Sequence, residues 1–311
     1  MSRPLRLALQ LWLVAACLAY ALWGLDFARF AEVLARFSWF RLAAAQAFFL
    51  VLMVPPALRL AFLLQGEVGF SGALAAELLG LALNNILPAR LGELGKAAYL
   101  RRQAGINLGR GLGMIFWERF YDLNAVLALG LSATLALGRD FATYPLLACV
   151  LGLWLFLFLH RVRPGLAERL VGLLPWERLR LLASETLVHL RGGFGARFFC
   201  GVGLYTVLTW TCYFAFNWLV LRWVAGLELG FLQVLTVFVA GVLGMAVPSS
   251  PGGLGVYEAA VLVTLGWFGA GKEEALAAAV LLRVMQYLPT TLFGLAVMAR
   301  AGLSVRQIKA G

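Results

Sequence analysis

The sequence predicts an all-α, polytopic helical membrane protein, and three observations lead there. Of 311 residues, 62% are hydrophobic and 13% charged, and the mean hydropathy is +0.88, far outside the range of soluble domains. Apolar runs of about 17 to 25 residues recur, each long enough to cross the hydrocarbon core as a helix. No stretch shows the roughly ten-residue alternation of an outer-membrane barrel, and helices are the other way to satisfy backbone polar groups in lipid.

Six full spans are expected, at about residues 7–25, 42–64, 111–137, 144–160, 198–221 and 275–298. The first could pass for a signal peptide, but its apolar run reaches about 20 residues without a small-residue exit, so it reads as a retained anchor. Between Phe27 and Trp39, Arg29, Glu32 and Arg36 alternate with Phe30, Val33, Leu34 and Phe37 at helical spacing, the pattern of a helix lying in the interface. The 161–197 stretch holds seven arginines against three glutamates and is expected to be a loop or surface helix, too short for a domain of its own. The chain therefore reads as a single transmembrane domain, 1–311. Trp39, Tyr144 and Trp223 read as interfacial anchors.

Two regions do not fit a plain span. One covers about 73–100 and is broken at Pro88; the other covers about 231–268 and is broken at "PSSPGGLG", Pro248 to Gly255. Apolar arms of about 14 to 17 residues on either side of a Pro/Gly break suit a re-entrant helical hairpin. Counting basic residues by side puts 17 of the 26 on the side of both termini, which the positive-inside rule assigns to the cytoplasm. The net charge of +11 is spread between the spans and gathered in no soluble patch, which argues against nucleic acid. Under this topology the two hairpins enter from opposite sides. Their motifs agree: Pro88-x-x-Leu91-Gly92 with Glu93 is matched by Pro251-x-x-Leu254-Gly255 with Glu258, and Arg119 and Arg283 follow at nearly equal distance. Inverted repeats with broken helices are how many transporters place a site near the bilayer midplane.

An ionisable side chain at the bilayer centre costs about 2.5 to 3.5 kcal/mol on insertion scales, so the charges there point to a site. Glu118, Arg119 and Asp122 lie inside one predicted span, and Glu118 and Asp122, four apart, share a face that Arg119 reaches only in part. Arg119 is expected to pair outside its own helix, with Glu93 and Glu258 as candidates, while Arg90 and Arg283 add positive charge. Unwound backbone at the breaks frees N–H groups that favour an anion. Asn84, Asn85, Ser249 and Ser250 can cap helix ends or bind ligand oxygens, and Gly92, Gly252, Gly253 and Gly255 permit close backbone approach.

Each feature also has a plainer reading. Arg119 with Glu118 or Asp122, and Arg283 with Glu258, can be structural salt bridges that lock helices together. Lys96, Arg101 and Arg102 read as topology determinants contacting anionic lipid. Gly105, Gly109 and Gly113 form a small-xxx-small series for close helix packing, and Glu77 reads as a half-buried polar residue. Gly253-x-Gly255 lacks the strand and third Gly of a dinucleotide loop, and "PSSPGGLG" lacks the Lys of a phosphate loop. Four scattered cysteines and two distant histidines give no metal, disulfide or triad pattern, so neither cofactor nor catalytic residue is expected.

"NNILPARLGELGKAAYLRR", "WERFYDL", "VPSSPGGLGVYEAAV" and "LLRVMQYLP", in this order and spacing, resemble the lysylphosphatidylglycerol synthase transmembrane-domain family, also described as flippase-like, over about residues 7–300. In full-length synthases a soluble aminoacyltransferase domain follows the membrane part, to which lipid translocation is assigned. The chain stops eleven residues after Arg300, so the resemblance implies a stand-alone member with the translocation role alone. It matches Arg90, Glu93, Glu118, Arg119, Asp122, Glu258 and Arg283 to the family's polar positions. Stand-alone members also look similar to proteins linked with polyprenyl-phosphate sugars, hopanoids or other envelope lipids. The expectation is a flippase for a phosphate-bearing anionic or zwitterionic lipid in the cytoplasmic membrane of a prokaryote. Its rivals are a membrane enzyme acting on a lipid head group and a partner subunit for a soluble transferase; a homo-oligomer is also open.

Overall fold

The computed structural model describes residues 3–87, 91–137, 143–173, 176–190, 195–246 and 251–303, and every regular element among them is helical. Helix α1 (Arg3–Leu22) turns through 84° into α2 (Phe27–Ala35), whose N-terminus is capped by the Asp26 carboxylate accepting from the amides of Ala28 and Arg29. The α2 element matches the short amphipathic helix expected there. Helices α3 (Trp39–Val51) and α4 (Val54–Leu63) run on as one 25-residue span, with Pro55 and Pro56 tolerated at the start of α4, where a helix has no intrahelical use for the missing N–H.

Next come α5 (Phe70–Ile86) and α6 (Gly92–Ala104), on either side of the first break, and then α7 (Leu108–Leu137) and α8 (Thr143–Val162). The polar stretch holds α9 (Pro164–Gly172) and α10 (Glu177–Leu190), so it is surface helix rather than loop, and α10 packs along α7. Helix α11 (Ala196–Trp218) runs into a π-helical turn at Leu219–Val224. After it come α12 (Phe231–Ala246), a short 3₁₀ turn at Pro251–Gly253, α13 (Val256–Trp267) and α14 (Lys272–Arg300).

Four helical stretches are long and apolar enough to cross a membrane: Trp39–Leu63, Tyr144–Val162, Ala196–Val224 and Lys272–Arg300. The bent pair of α1 and α2 raises this to five. All four fall on expected crossings. At each expected break the arms pack on one another, α5 on α6 and α12 on α13.

In lipid, apolar burial between helices is no driving force, so association depends on close packing and interhelical hydrogen bonds. The most extensive helix packing among the described residues, α5 on α14, is built that way. A Cβ at Gly294 would overlap the Leu78 carbonyl and the methyl of the fully buried Ala82. Asn85 then donates from Nδ2 to Thr290 at 3.1 Å and Thr291 at 2.9 Å. Pro289 sits inside α14 and cannot donate to the carbonyl of Met285; Gln46 Nε2 of α3 supplies that bond at 3.2 Å.

The expected glycine series divides in two. Gly109 and Gly113 do let α10 lie close on α7, where added methyl groups would meet Glu185 and His189. Gly105 instead ends α6 in the left-handed region at φ 68°, its amide bonding to Arg101 O at 3.0 Å.

Replacing Gly294 by Val forces α5 and α14 apart and is expected to cost about 1–3 kcal/mol, the usual range for overpacking. The thermal unfolding midpoint of detergent-solubilised protein should fall by several degrees, whereas Gly152→Ala, with open space around it, should leave it unchanged.

Candidate functional site

Five helices converge on one buried ion network. Lys96 of α6 is 1% exposed, and its ammonium donates to Glu77 Oε1 of α5 at 2.5 Å and to Glu118 Oε2 of α7 at 2.6 Å. Glycine makes this possible: Gly80 and Gly92 face each other where α5 and α6 cross, and a side chain at Gly92 would collide with the Gly80 carbonyl and Asn84. Asn84 Oδ1 accepts from the Gly92 amide at 2.9 Å and so ties the start of α6 back to α5.

One turn along α7, Asp122 accepts from Arg59 Nη1 of α4 at 2.7 Å and from Trp210 Nε1 of α11 at 3.1 Å. Thr206, one turn before Trp210, accepts from the same Arg59 nitrogen at 3.1 Å, and Arg59 Nε lies 3.9 Å from Glu118 Oε1. The network ends at Arg119, which reaches Glu93 Oε1 of α6 at 3.0 Å and Asp122 Oδ2 at 3.1 Å. Its interior and mouth differ: Glu118 is fully buried, whereas the Arg119 side chain is 46% exposed and that of Glu93 22%.

Position along the helices sets the depth. Thr206 lies ten residues from the start of the 29-residue stretch Ala196–Val224 and Asp122 fourteen residues from the start of the 30-residue α7, or about 15 to 20 Å along helices of about 45 Å at 1.5 Å per residue. A buried charge in such surroundings persists only if paired and hydrogen-bonded.

The second cluster is closed. Arg283 of α14 donates from Nε to Glu258 Oε1 at 2.6 Å, from Nη2 to Glu258 Oε2 at 3.1 Å and Gly253 O at 3.0 Å, and from Nη1 to Gly252 O at 2.6 Å. The guanidinium lies between the rings of Tyr257 and Tyr287, 4.6 and 4.5 Å from their centroids. Glu258 accepts in turn from the Gly255 amide at 2.7 Å, the reciprocal half of a capping arrangement at the start of α13. Gly252 and Gly253 sit at φ 65° and 70°, which presents both carbonyls to Arg283, and the Tyr287 hydroxyl donates to Gly252 O as well.

Among the expected site residues, Glu93, Glu118, Arg119 and Asp122 therefore meet in one cluster, and Gly252, Gly253, Glu258 and Arg283 in another. Arg119 pairs outside its helix as expected, with Glu93 and not with Glu258. Asn84 and Asn85 join helices. Arg90, Ser249 and Ser250 lie outside the described residues. Two expectations are corrected: Lys96 is no lipid-facing topology determinant but the centre of the network, and Glu77 is its ion-pair partner. Arg59 was missed as a site residue, although an arginine inside the 25-residue apolar run Trp39–Leu63, four residues before its end, is the signal that could have found it.

With the geometry in place, comparison with known proteins settles the kinship. The model of the lysylphosphatidylglycerol synthase TM region matches residues 7–294. The chain belongs to this family. A UPF0104 membrane protein of Methanocaldococcus jannaschii is 27% identical over 218 residues, covering 68% of this chain and 91% of that one. The family match makes it a multi-pass membrane protein of the lysylphosphatidylglycerol synthase transmembrane type, and the archaeal relative is likewise a membrane protein. The ion network, from Arg59 to Trp210, lies inside the matched region.

Lys96→Met leaves two carboxylates buried without their cation and should cost about 3–5 kcal/mol. Arg119→Gln, at the half-exposed mouth, should cost less than about 1 kcal/mol. Denaturation of the two variants in the same detergent reads the difference, and equal losses would contradict a buried centre with an open mouth.

Proposed function

We propose that the protein is a flippase or lipid-linked-precursor transporter for an anionic or zwitterionic phosphate-bearing lipid. The observation that carries this is Arg119, whose half-exposed side chain pairs with Glu93 and Asp122 at the mouth of the buried ion network. A purely structural salt bridge gains nothing from an open face, whereas a site for a polar head group needs one. In this reading the lipid phosphate takes the place of Glu93 on Arg119, exchanging one charge-assisted pair for another, while the hydrocarbon tails stay in the bilayer.

The reading keeps a single transmembrane domain over 1–311 with six spans and two re-entrant hairpins in an inverted repeat, both termini in the cytoplasm of a prokaryote. What supports the repeat is that matched positions make matched pairs, Glu93 with Arg119 and Glu258 with Arg283. Asn84, Asn85, Gly252, Gly253, Arg283 and, by their motif positions alone, Arg90, Ser249 and Ser250 belong to the same substrate path. The two halves of that path are unequal. Asp122 fixes Arg119, while Arg283, with all three guanidinium nitrogens engaged, holds the second break in shape.

Purified protein in liposomes carrying a dithionite-quenchable anionic lipid tests this. Wild type should expose inner-leaflet lipid to quenching, and Arg119→Gln should slow it roughly tenfold, about the 1.4 kcal/mol of one charge-assisted hydrogen bond, with thermal stability preserved. Equal rates for the two proteins would remove Arg119 from the mechanism, and no transport by wild type across a panel of phosphate-bearing lipids would remove the flippase reading.

A further inference from the structure

An apolar groove of about 560 Å³ lies between α3 and the end of α11, away from both ion clusters. Its walls are Phe48, Phe214, Trp218, Trp223 and Phe231, and Ala44 keeps its floor open. This is within the range of small-molecule sites, about 300–1,000 Å³, but almost no polar group lines it. The π-helical turn Leu219–Val224 borders it. Such turns recur at functional sites because the extra residue re-aims side chains, and here the turn carries both Trp223 and Arg222.

Two arginines stand at the rim. Arg41 lies over the Trp223 ring at 5.7 Å and donates from Nη1 to the Trp223 carbonyl at 2.9 Å. Arg222 lies over the Trp218 ring at 5.2 Å and donates from Nη1 to Leu229 O. Each is exposed, and each is oriented by a ring and a single carbonyl, so the remaining guanidinium N–H groups point to no protein acceptor among the described contacts. Glu228, the nearby acid on the following loop, is exposed and forms an ion pair with neither among the described residues. Both arginines sit near one end of long spans, Arg41 three residues into Trp39–Leu63 and Arg222 two residues before the end of Ala196–Val224.

An aromatic trough inside the span with two guanidinium groups at its end has the polarity of a lipid with a negatively charged head. A second copy of the chain fits less well, because a two-fold contact through this face would bring four arginine side chains of like charge together. We propose that the groove is a second lipid site, which seats one hydrocarbon chain of an anionic lipid against Phe48, Phe214 and Trp218 and its phosphate on Arg41 and Arg222. It rests on the lipid-handling reading above but not on transport, and it lies at an end of the spans where a lipid would enter or leave.

The test uses the full chain in nanodiscs doped with phosphatidylglycerol or phosphatidylcholine carrying a photoactivatable group in the acyl chain, with labelled peptides mapped by mass spectrometry. Labelling of peptides that contain Phe48, Phe214 or Phe231 should be roughly tenfold richer with phosphatidylglycerol, the discrimination expected of two arginines near the surface. Arg41→Gln/Arg222→Gln should remove the preference, Ala44→Phe should reduce labelling by both lipids, and Arg119→Gln should leave the pattern unchanged. Equal wild-type labelling by the two lipids, a preference that survives the double variant, or cross-links joining two protein copies at this face would overturn the proposal. The wild-type ratio needs no variant to fold. Intact selective labelling with failed lipid transport sinks only the flippase reading; transport without selective labelling sinks only this site.

Discussion

The Lys96 ammonium, shared between two carboxylates from different helices, is the interaction on which the rest depends. An amine taken out of water with no partner would lose its charge or its position, and a carboxylate pair with no cation would repel. Held together, the three groups fix α5, α6 and α7 at one point, and their mutual attraction offsets part of the cost of taking them out of water. Arg59 and Asp122 repeat the device one turn away and add α4 and α11. Five helices are thus pinned by polar contacts in a setting where apolar contact alone gives them no preferred arrangement.

Helix α5 is the wall common to both charged clusters. On one side it gives Glu77 to the network and Asn84 to the start of α6; on the other it packs along the C-terminal half of α14 through Ala82, Gly294 and the Asn85 bonds to Thr290 and Thr291. The register is antiparallel, with Leu78 beside Gly294 and Asn85 beside Thr290. It therefore carries Arg283 past the C-terminal end of α5, where Pro251–Gly253 also touches α5. A shift of α14 along α5 would disturb both clusters at once, because the close contacts are glycine and alanine backbones with no side chain to give way.

What could be read from the sequence followed a simple physical rule: a charge is legible where its surroundings make it expensive. Glu118, Arg119 and Asp122 stood out inside an apolar run, and Glu93 and Glu258 beside a Pro/Gly break. Lys96 was hidden by its neighbours, since Arg101 and Arg102 follow at once and a basic cluster at a helix end is the ordinary mark of membrane topology. Only the approach of α5, permitted by Gly80 and Gly92, turns that lysine inward, and no local pattern encodes which helix will come so close. Gly105 was misread for the opposite reason. Its spacing to Gly109 and Gly113 fitted a packing stripe, but a glycine directly after "YLRRQA" also satisfies a helix C-terminus, and the left-handed φ decides for the cap. The pairing of Gln46 with the carbonyl orphaned by Pro289 joins residues 239 positions apart and has no local signature at all.

The two motif halves look alike in sequence and differ in how their arginines are used. Arg283 engages Nε, Nη1 and Nη2 with a carboxylate and two carbonyls and lies between two tyrosine rings, so an incoming anion would have to displace several short contacts at once. Arg119 is held by two carboxylates, one of them on the exposed edge, so an anion of the kind proposed would have to displace only Glu93. Because Asp122 is held at the same time by Arg59 and Trp210, losing Glu93 leaves the guanidinium still aimed. A rigid base beneath a replaceable lid is what the proposed exchange site would require; the buried pairs would supply the base and a single glutamate near the first break the lid.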